Sequence, residues 1–139
     1  MPAKNIHPDA AVAALKNDGW AITHDPYRLS YGSTDMYVDL GAEKSLVGAE
    51  KSGRRIAVEV QSFLGASSVR ALQEAVGQYE VYPTVLADRD PGRMLYMAVS
   101  SETHEEVLAD KLGQFIISRL HLRVLVLGPL AKKIIKWID

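Results

Sequence analysis

The chain contains no cysteine. That absence excludes a disulfide framework, thiolate metal ligands and cysteine nucleophiles, and it fits a reducing compartment. No apolar run approaches the roughly 20 residues needed to cross a bilayer. The opening stretch MPAKNIHPD has no apolar segment of the signal-peptide kind. A cytoplasmic protein with neither signal nor anchor is therefore expected. An excess of one charge is also missing. Sixteen Lys and Arg stand against 17 Asp and Glu, for a formal net charge of -1. No global basic field marks a nucleic-acid binder, so phosphate contacts would have to come from a local patch. There is no Gly-rich phosphate loop and no nucleophile motif, which weakens any small-molecule or purely structural reading built on such sites. No repeat, low-complexity tract or linker divides the chain. Of its 139 residues 47% are hydrophobic and 24% charged, which predicts a single domain over residues 1–139 with a substantial core.

The elements follow from periodicity. Asp9 is placed to cap a helix through Asn17, with Val12 and Leu15 on its apolar side and Gly19 as its stop. Trp20 to Thr23 reads as a short strand. DPYRLSYGSTD reads as a turn-rich, mobile loop before Met36 to Leu40 resumes an extended pattern. Arg55 to Gln61 alternates cleanly, with Ile56, Val58 and Val60 on one face and Ala57, Glu59 and Gln61 on the other. Ser67 or Ser68 starts a helix carrying Val69, Leu72, Val76 and Tyr79, which Pro83 is expected to close. Arg93 to Val99 is a strand. Thr103 with Glu106 suggests a capping box before a long amphipathic helix bearing Leu108, Leu112, Phe115 and Ile116. His121 to Leu127 is another strand, and LAKKIIKWID fits a helix or a strand equally. This order predicts an α/β fold, a mixed central sheet flanked by helices.

Chemistry enters at Glu59. A carboxylate on a strand of Ile, Ala and Val is costly unless it is paired, exposed in a cleft or bound to a cation. Gln61 projects from the same face, and Asp39 ends the preceding extended segment. Three such oxygen-bearing side chains on neighbouring strands suit Mg²⁺ or Mn²⁺. The plainer reading is a solvated strand end or turn residue. Glu43 and Glu50 are either extra ligands or part of a solvated charge run, EKSLVGAEK, the commoner situation. His7 and His104, isolated near candidate helix starts, carry no assigned role.

The stretch DLGAEKSLVGAEKSGRRIAVEVQSFLGASSVRALQEAVGQYEVY resembles the fdxN element excision controlling factor family, the XisH-like proteins of the PD-(D/E)xK nuclease superfamily. The likeness runs from Asp18 through LYMAV to the final KWI. It implies a restriction-endonuclease-like PD-(D/E)xK core. Asp39 matches the first acidic position of the superfamily motif, Glu59 the second, and Gln61 stands where lysine is usual. Gln78 and Tyr82 reproduce a QxxxY pattern, and at four residues apart on a helix they share a face that could look into the cleft. The resemblance implies Mg²⁺ or Mn²⁺ held by Asp39 and Glu59, with phosphodiester cleavage as the chemistry. Glutamine orients by hydrogen bonds but brings no charge, so it departs from the working pattern. Lys51, Arg54, Arg55 and Arg70 are expected to form a basic rim for DNA around the cleft. The implied partners are DNA, a site-specific recombinase and a companion excision controlling factor. Homo-oligomer formation is compatible with all of this. Two functions stand side by side: a metal-dependent endodeoxyribonuclease with a weakened site, and a non-catalytic accessory factor that holds DNA or a recombinase.

Overall fold

The computed structural model describes residues 7–44, 53–61, 68–128 and 132–139. Six strands make one mixed sheet: β1 (Ala21–His24), β4 (Leu40–Lys44), β5 (Arg54–Val60), β6 (Arg93–Ser100), β7 (Val124–Leu127) and β8 (Ile134–Ile138), in the order β1-β4-β5-β6-β7-β8. The pairs β5/β6 and β6/β7 are parallel, and the outer pairs are antiparallel. The tail is thus a strand. Its β-branched residues outvote its lysine spacing because pairing along β7 satisfies its backbone.

Both faces of the central strands are covered, which is why β5, β6 and β7 read as apolar runs. On one face Ile56, Val58, Tyr96, Ala98 and Leu125 pack against α1 (Pro8–Asn17) through Ala11, Ala14 and Leu15. On the other, Ala57, Leu95, Met97, Val99 and Val124 meet Leu72, Ala75, Tyr79 and Leu86 of α2 (Ser68–Arg89). Tyr27, Leu29 and Val38 of a separate two-stranded sheet join that second core.

Several sequence-based expectations are corrected. The N-cap of α1 is His7, whose Nδ1 accepts from the Asp9 amide at 3.1 Å, while Asp9 lies in the first turn. DPYRLSYGSTD is a hairpin of β2 (Tyr27–Tyr31) and β3 (Thr34–Val38). Tyr27, Leu29, Met36 and Val38 turn inward, and Gly32 at φ 60° makes the two-residue turn with Ser33. Pro83 lies inside α2, which runs on to Arg89. Leu86, beyond it, is buried, and its packing outweighs the hydrogen bond that proline removes. No Thr103–Glu106 capping box forms. The Ser100 hydroxyl caps instead, accepting from the Thr103 amide at 3.0 Å. The helix is also not continuous: α3 (Ser101–Thr103) passes into a π-turn over His104–Leu108, and Asp110 then caps α4 (Lys111–Leu120). The strand expected from His121 begins at Val124, because His121 at φ 52° ends α4. Among the described residues, no helix is long and apolar enough to cross a membrane.

Candidate functional site

The antiparallel register that pairs Leu40 with Val58 and Gly41 with Ala57 places Asp39 opposite Glu59 when extended by one residue. Side chains directly opposite on neighbouring strands share a face. Two crossed hydrogen bonds fix the pair. The Asp39 amide donates to Glu59 Oε1 at 3.2 Å, and the Val60 amide donates to Asp39 Oδ2 at 2.8 Å. Each carboxylate spends one oxygen on backbone, and among the described residues no lysine or arginine forms an ion pair with either.

Electrostatics record the cost. Burial pushes Glu59 up to about 7, with the charge of Asp39 adding to the effect. Burial also raises Asp39; its bond from Val60 works against that, and the charge of Asp25 adds to it. Asp25 was not singled out by sequence reasoning, and nothing in its spacing marked it; only the docking of the hairpin brings it near. Tyr82 is held above its usual range by burial and by the charges of Glu59 and Asp39, so its phenol stays protonated.

Glu59 and Gln61 project from the end of β5 into a cleft of about 10 Å³, where Gln78, Tyr82 and Tyr79 of α2 face them. The Gln61 Nε2 donates to Gln78 Oε1. Four positions identified from the sequence, Glu59, Gln61, Gln78 and Tyr82, therefore meet in one place, and Asp39 touches Glu59. The cleft sits at the carboxyl end of a parallel strand, the usual place for ligands in open α/β sheets.

Of the basic residues expected at the rim, Arg54 and Arg55 are not gathered there. Arg54 lies at the opposite end of β5, on the other face of the sheet. Its guanidinium sits 5.4–5.9 Å from the rings of Trp20, Tyr96 and Trp137 and donates to the Tyr96 hydroxyl at 2.6 Å. Arg55 is about 13 Å along the strand from Glu59, bound to Asp90 and to the Pro91 carbonyl. Arg70 is exposed, two turns of α2 before Gln78, with Glu74 at 4.0 Å. Lys51 and Glu50 lie outside the described residues. Glu43 faces Arg93 at 3.8 Å, toward the far end of the sheet, so it is no part of the cleft. Arg54 and Arg55 do not join a rim at the cleft because strand alternation sends them to opposite faces, each toward a partner that neutralises or cages it.

Two carboxylates on adjacent strands, both destabilised as anions, are a donor set that a divalent cation fits. Among the described residues no three acidic or histidine side chains converge, so two carboxylates with neutral oxygens and water would make up the shell, an arrangement typical of Mg²⁺.

No curated protein matches the chain. Two solved structures resemble it throughout. A XisH family protein from Nostoc punctiforme PCC 73102 is 30% identical, with a TM-score of 0.85 over 97% of this chain and 100% of that one. An fdxN element excision controlling factor protein from Anabaena variabilis is 32% identical, with a TM-score of 0.82 over 94% of this chain and 96% of that one. The family model described as XisH protein matches residues 1–135, and the chain therefore belongs to the XisH family.

Proposed function

We propose that this chain is a nuclease-fold factor acting on DNA during the excision of a DNA element, with Asp39 and Glu59 as its divalent-cation site. The fold assigned in this reading is the restriction-endonuclease-like PD-(D/E)xK core, in one domain over residues 1–139. The observation that carries the reading is the crossed Asp39–Glu59 pair at the end of β5, two half-buried carboxylates with no cation partner among the described residues. The Anabaena variabilis relative, an fdxN element excision controlling factor protein, supplies the excision context. Mg²⁺ or Mn²⁺ bound there would neutralise a phosphate and lower the pKa of a water. The chain's own groups do the rest. Asp39 and Glu59 hold the ion, and the protonated Tyr82 hydroxyl is a hydrogen-bond donor for a phosphate oxygen. Gln61 orients without contributing charge.

The absent lysine makes hydrolysis slow. Losing one preorganised contact typically costs about 10²–10³ in rate. Nicking of supercoiled and branched DNA in Mn²⁺ tests this. Weak wild-type nicking, its loss in Glu59→Ala and its increase in Gln61→Lys at saturating metal are the expected results.

The second reading is a non-catalytic factor that holds DNA, a recombinase or a companion excision factor. It is favoured by Gln61 being occupied with Gln78 rather than presenting a charge. DNA binding without nicking by any variant selects it. Robust wild-type nicking that lysine does not improve rejects it.

A further inference from the structure

The amide of Gln61 has one donor end and one acceptor end, and the structure commits the donor end. Its Nε2 donates to Oε1 of Gln78, a half-buried residue on α2. The carbonyl oxygen, on the other side of the amide carbon, has no hydrogen-bond partner among the described residues, and Gln61 lines the same cleft as Glu59. A glutamine alone on a strand end would rotate about its last torsion and present either group. Contact with Gln78 couples that choice to the Gln78 amide, whose place on α2 is set by its neighbours Ala75 and Tyr79, both buried against the sheet. With Oε1 of Gln78 toward Gln61, Nε2 of Gln61 is the end that donates.

We infer that Gln78 is a positioning residue that turns the Gln61 carbonyl into the cleft, where it serves as a third, neutral oxygen donor to a divalent cation held by Asp39 and Glu59. This rests on the reading of that pair as a cation site. The arrangement answers a need of the site, since two carboxylates alone leave most of a six-oxygen shell to water. An amide oxygen adds a ligand without adding a third negative charge to a pair whose mutual repulsion and burial already raise Glu59. Gln61 is then a ligand in its own right, and Gln78 acts through it.

Titration of the metal-free protein with Mn²⁺, following free Mn²⁺ by electron paramagnetic resonance, tests the inference in wild type, Glu59→Ala, Gln61→Leu, Gln78→Leu and the double variant Gln61→Leu/Gln78→Leu. Partners that orient a ligand typically account for about 10–100-fold in metal affinity. Gln78→Leu is expected to weaken Mn²⁺ binding about as much as Gln61→Leu, and the double variant no more than either. Unchanged affinity in Gln78→Leu, or losses that multiply in the double variant, overturns the positioning role. Unchanged affinity in Gln61→Leu, with binding abolished in Glu59→Ala, refutes the third donor and leaves the cation site standing. A wild type that binds no Mn²⁺ removes the site and the inference together. Circular dichroism melts verify folding, and Gln78→Met, which likewise lacks the amide acceptor, takes the place of a leucine variant that does not fold.

Discussion

Glu59 is the residue on which the proposed chemistry turns, and its protonation gives a test independent of any ligand. Its folded pKa, about 7, lies above its ordinary 4.5. Between those values the folded protein binds the proton that the unfolded chain releases. Its contribution to stability is therefore present at low pH, declines as pH rises through 4.5 to 7, and stays lost above. Replacing Glu59 by Gln removes a penalty that exists only when the carboxylate is ionised. Metal-free Glu59→Gln is expected to be more stable than wild type at pH 8 by about 1–2 kcal/mol after allowance for solvent screening. The two should converge near pH 4.5. Thermal melts across that range check it, and an equal difference at both ends would reject the burial origin of the shift. Saturating Mn²⁺ should remove the wild-type decline, since a cation favours the ionised form.

At the scale of elements, glycines on two helices predict opposite outcomes. Gly77 lies within α2, and a β-carbon there would meet nothing within 4 Å. Gly77→Ala should stabilise the protein by about 0.5–1 kcal/mol through helix propensity. Gly113, in the first turn of α4, has the Val107 carbonyl oxygen 2.5 Å from where a β-carbon would stand. Gly113→Ala must push α4 away from the π-turn, at a cost of about 1–3 kcal/mol. Chemical denaturation of both variants decides this, and two changes of the same sign would contradict the packing at one of the sites. The interruption between α3 and α4 was not legible in the sequence. Leu108, Leu112, Phe115 and Ile116 keep helical spacing, yet Leu108 is buried and Phe115 is 59% exposed. Periodicity records the residues' chemistry and not the point where backbone packing forces an extra residue into a turn.

Across the whole molecule, Asp90 joins three parts that the site needs in register. It accepts from Tyr27 of the hairpin at 2.7 Å, from Arg55 of β5, and from Arg93 of β6 at 2.6 Å. Arg93, with only 4% of its side chain exposed, also donates to the Ile56 carbonyl at 2.8 Å. Burial raises the carboxyl of Asp90, but the bonds from Arg93, Tyr27 and Arg55 outweigh it and hold it below the usual range. That contribution is present at neutral pH and lost as pH falls below the ordinary carboxylate value. Asp90→Ala leaves Arg93 buried with Glu43 3.8 Å away as its only remaining ion pair among the described residues. It should cost about 3–5 kcal/mol. Because the hairpin leads directly into Asp39, hydrogen exchange should also accelerate in β2 and β3. Slow exchange there, with global stability lowered, would show that the hairpin docks independently of Asp90.

The sequence by itself determined the α/β class, the apolar strands at β5 and β6, and the candidate residues Asp39, Glu59 and Gln61, with Gln78 and Tyr82 added by the family resemblance. Glu59 and Gln61 show in an alternation of two and in a carboxylate out of place among aliphatic residues, and Asp39 in the end of an extended segment, whereas Gln78 and Tyr82 are implied by the resemblance through its QxxxY pattern. Tertiary structure decided the rest. Only the antiparallel register of β4 on β5 sets Asp39 against Glu59. Only the packing of α2 across the sheet brings Gln78 to Gln61 and carries the helix through Pro83. Arg54 and Arg55 were read, with Lys51 and Arg70, as one basic rim because a nearly neutral chain would have to concentrate its phosphate contacts in a local patch. On a strand, adjacent residues face opposite ways, and which partner waits on each side is settled by elements distant in sequence.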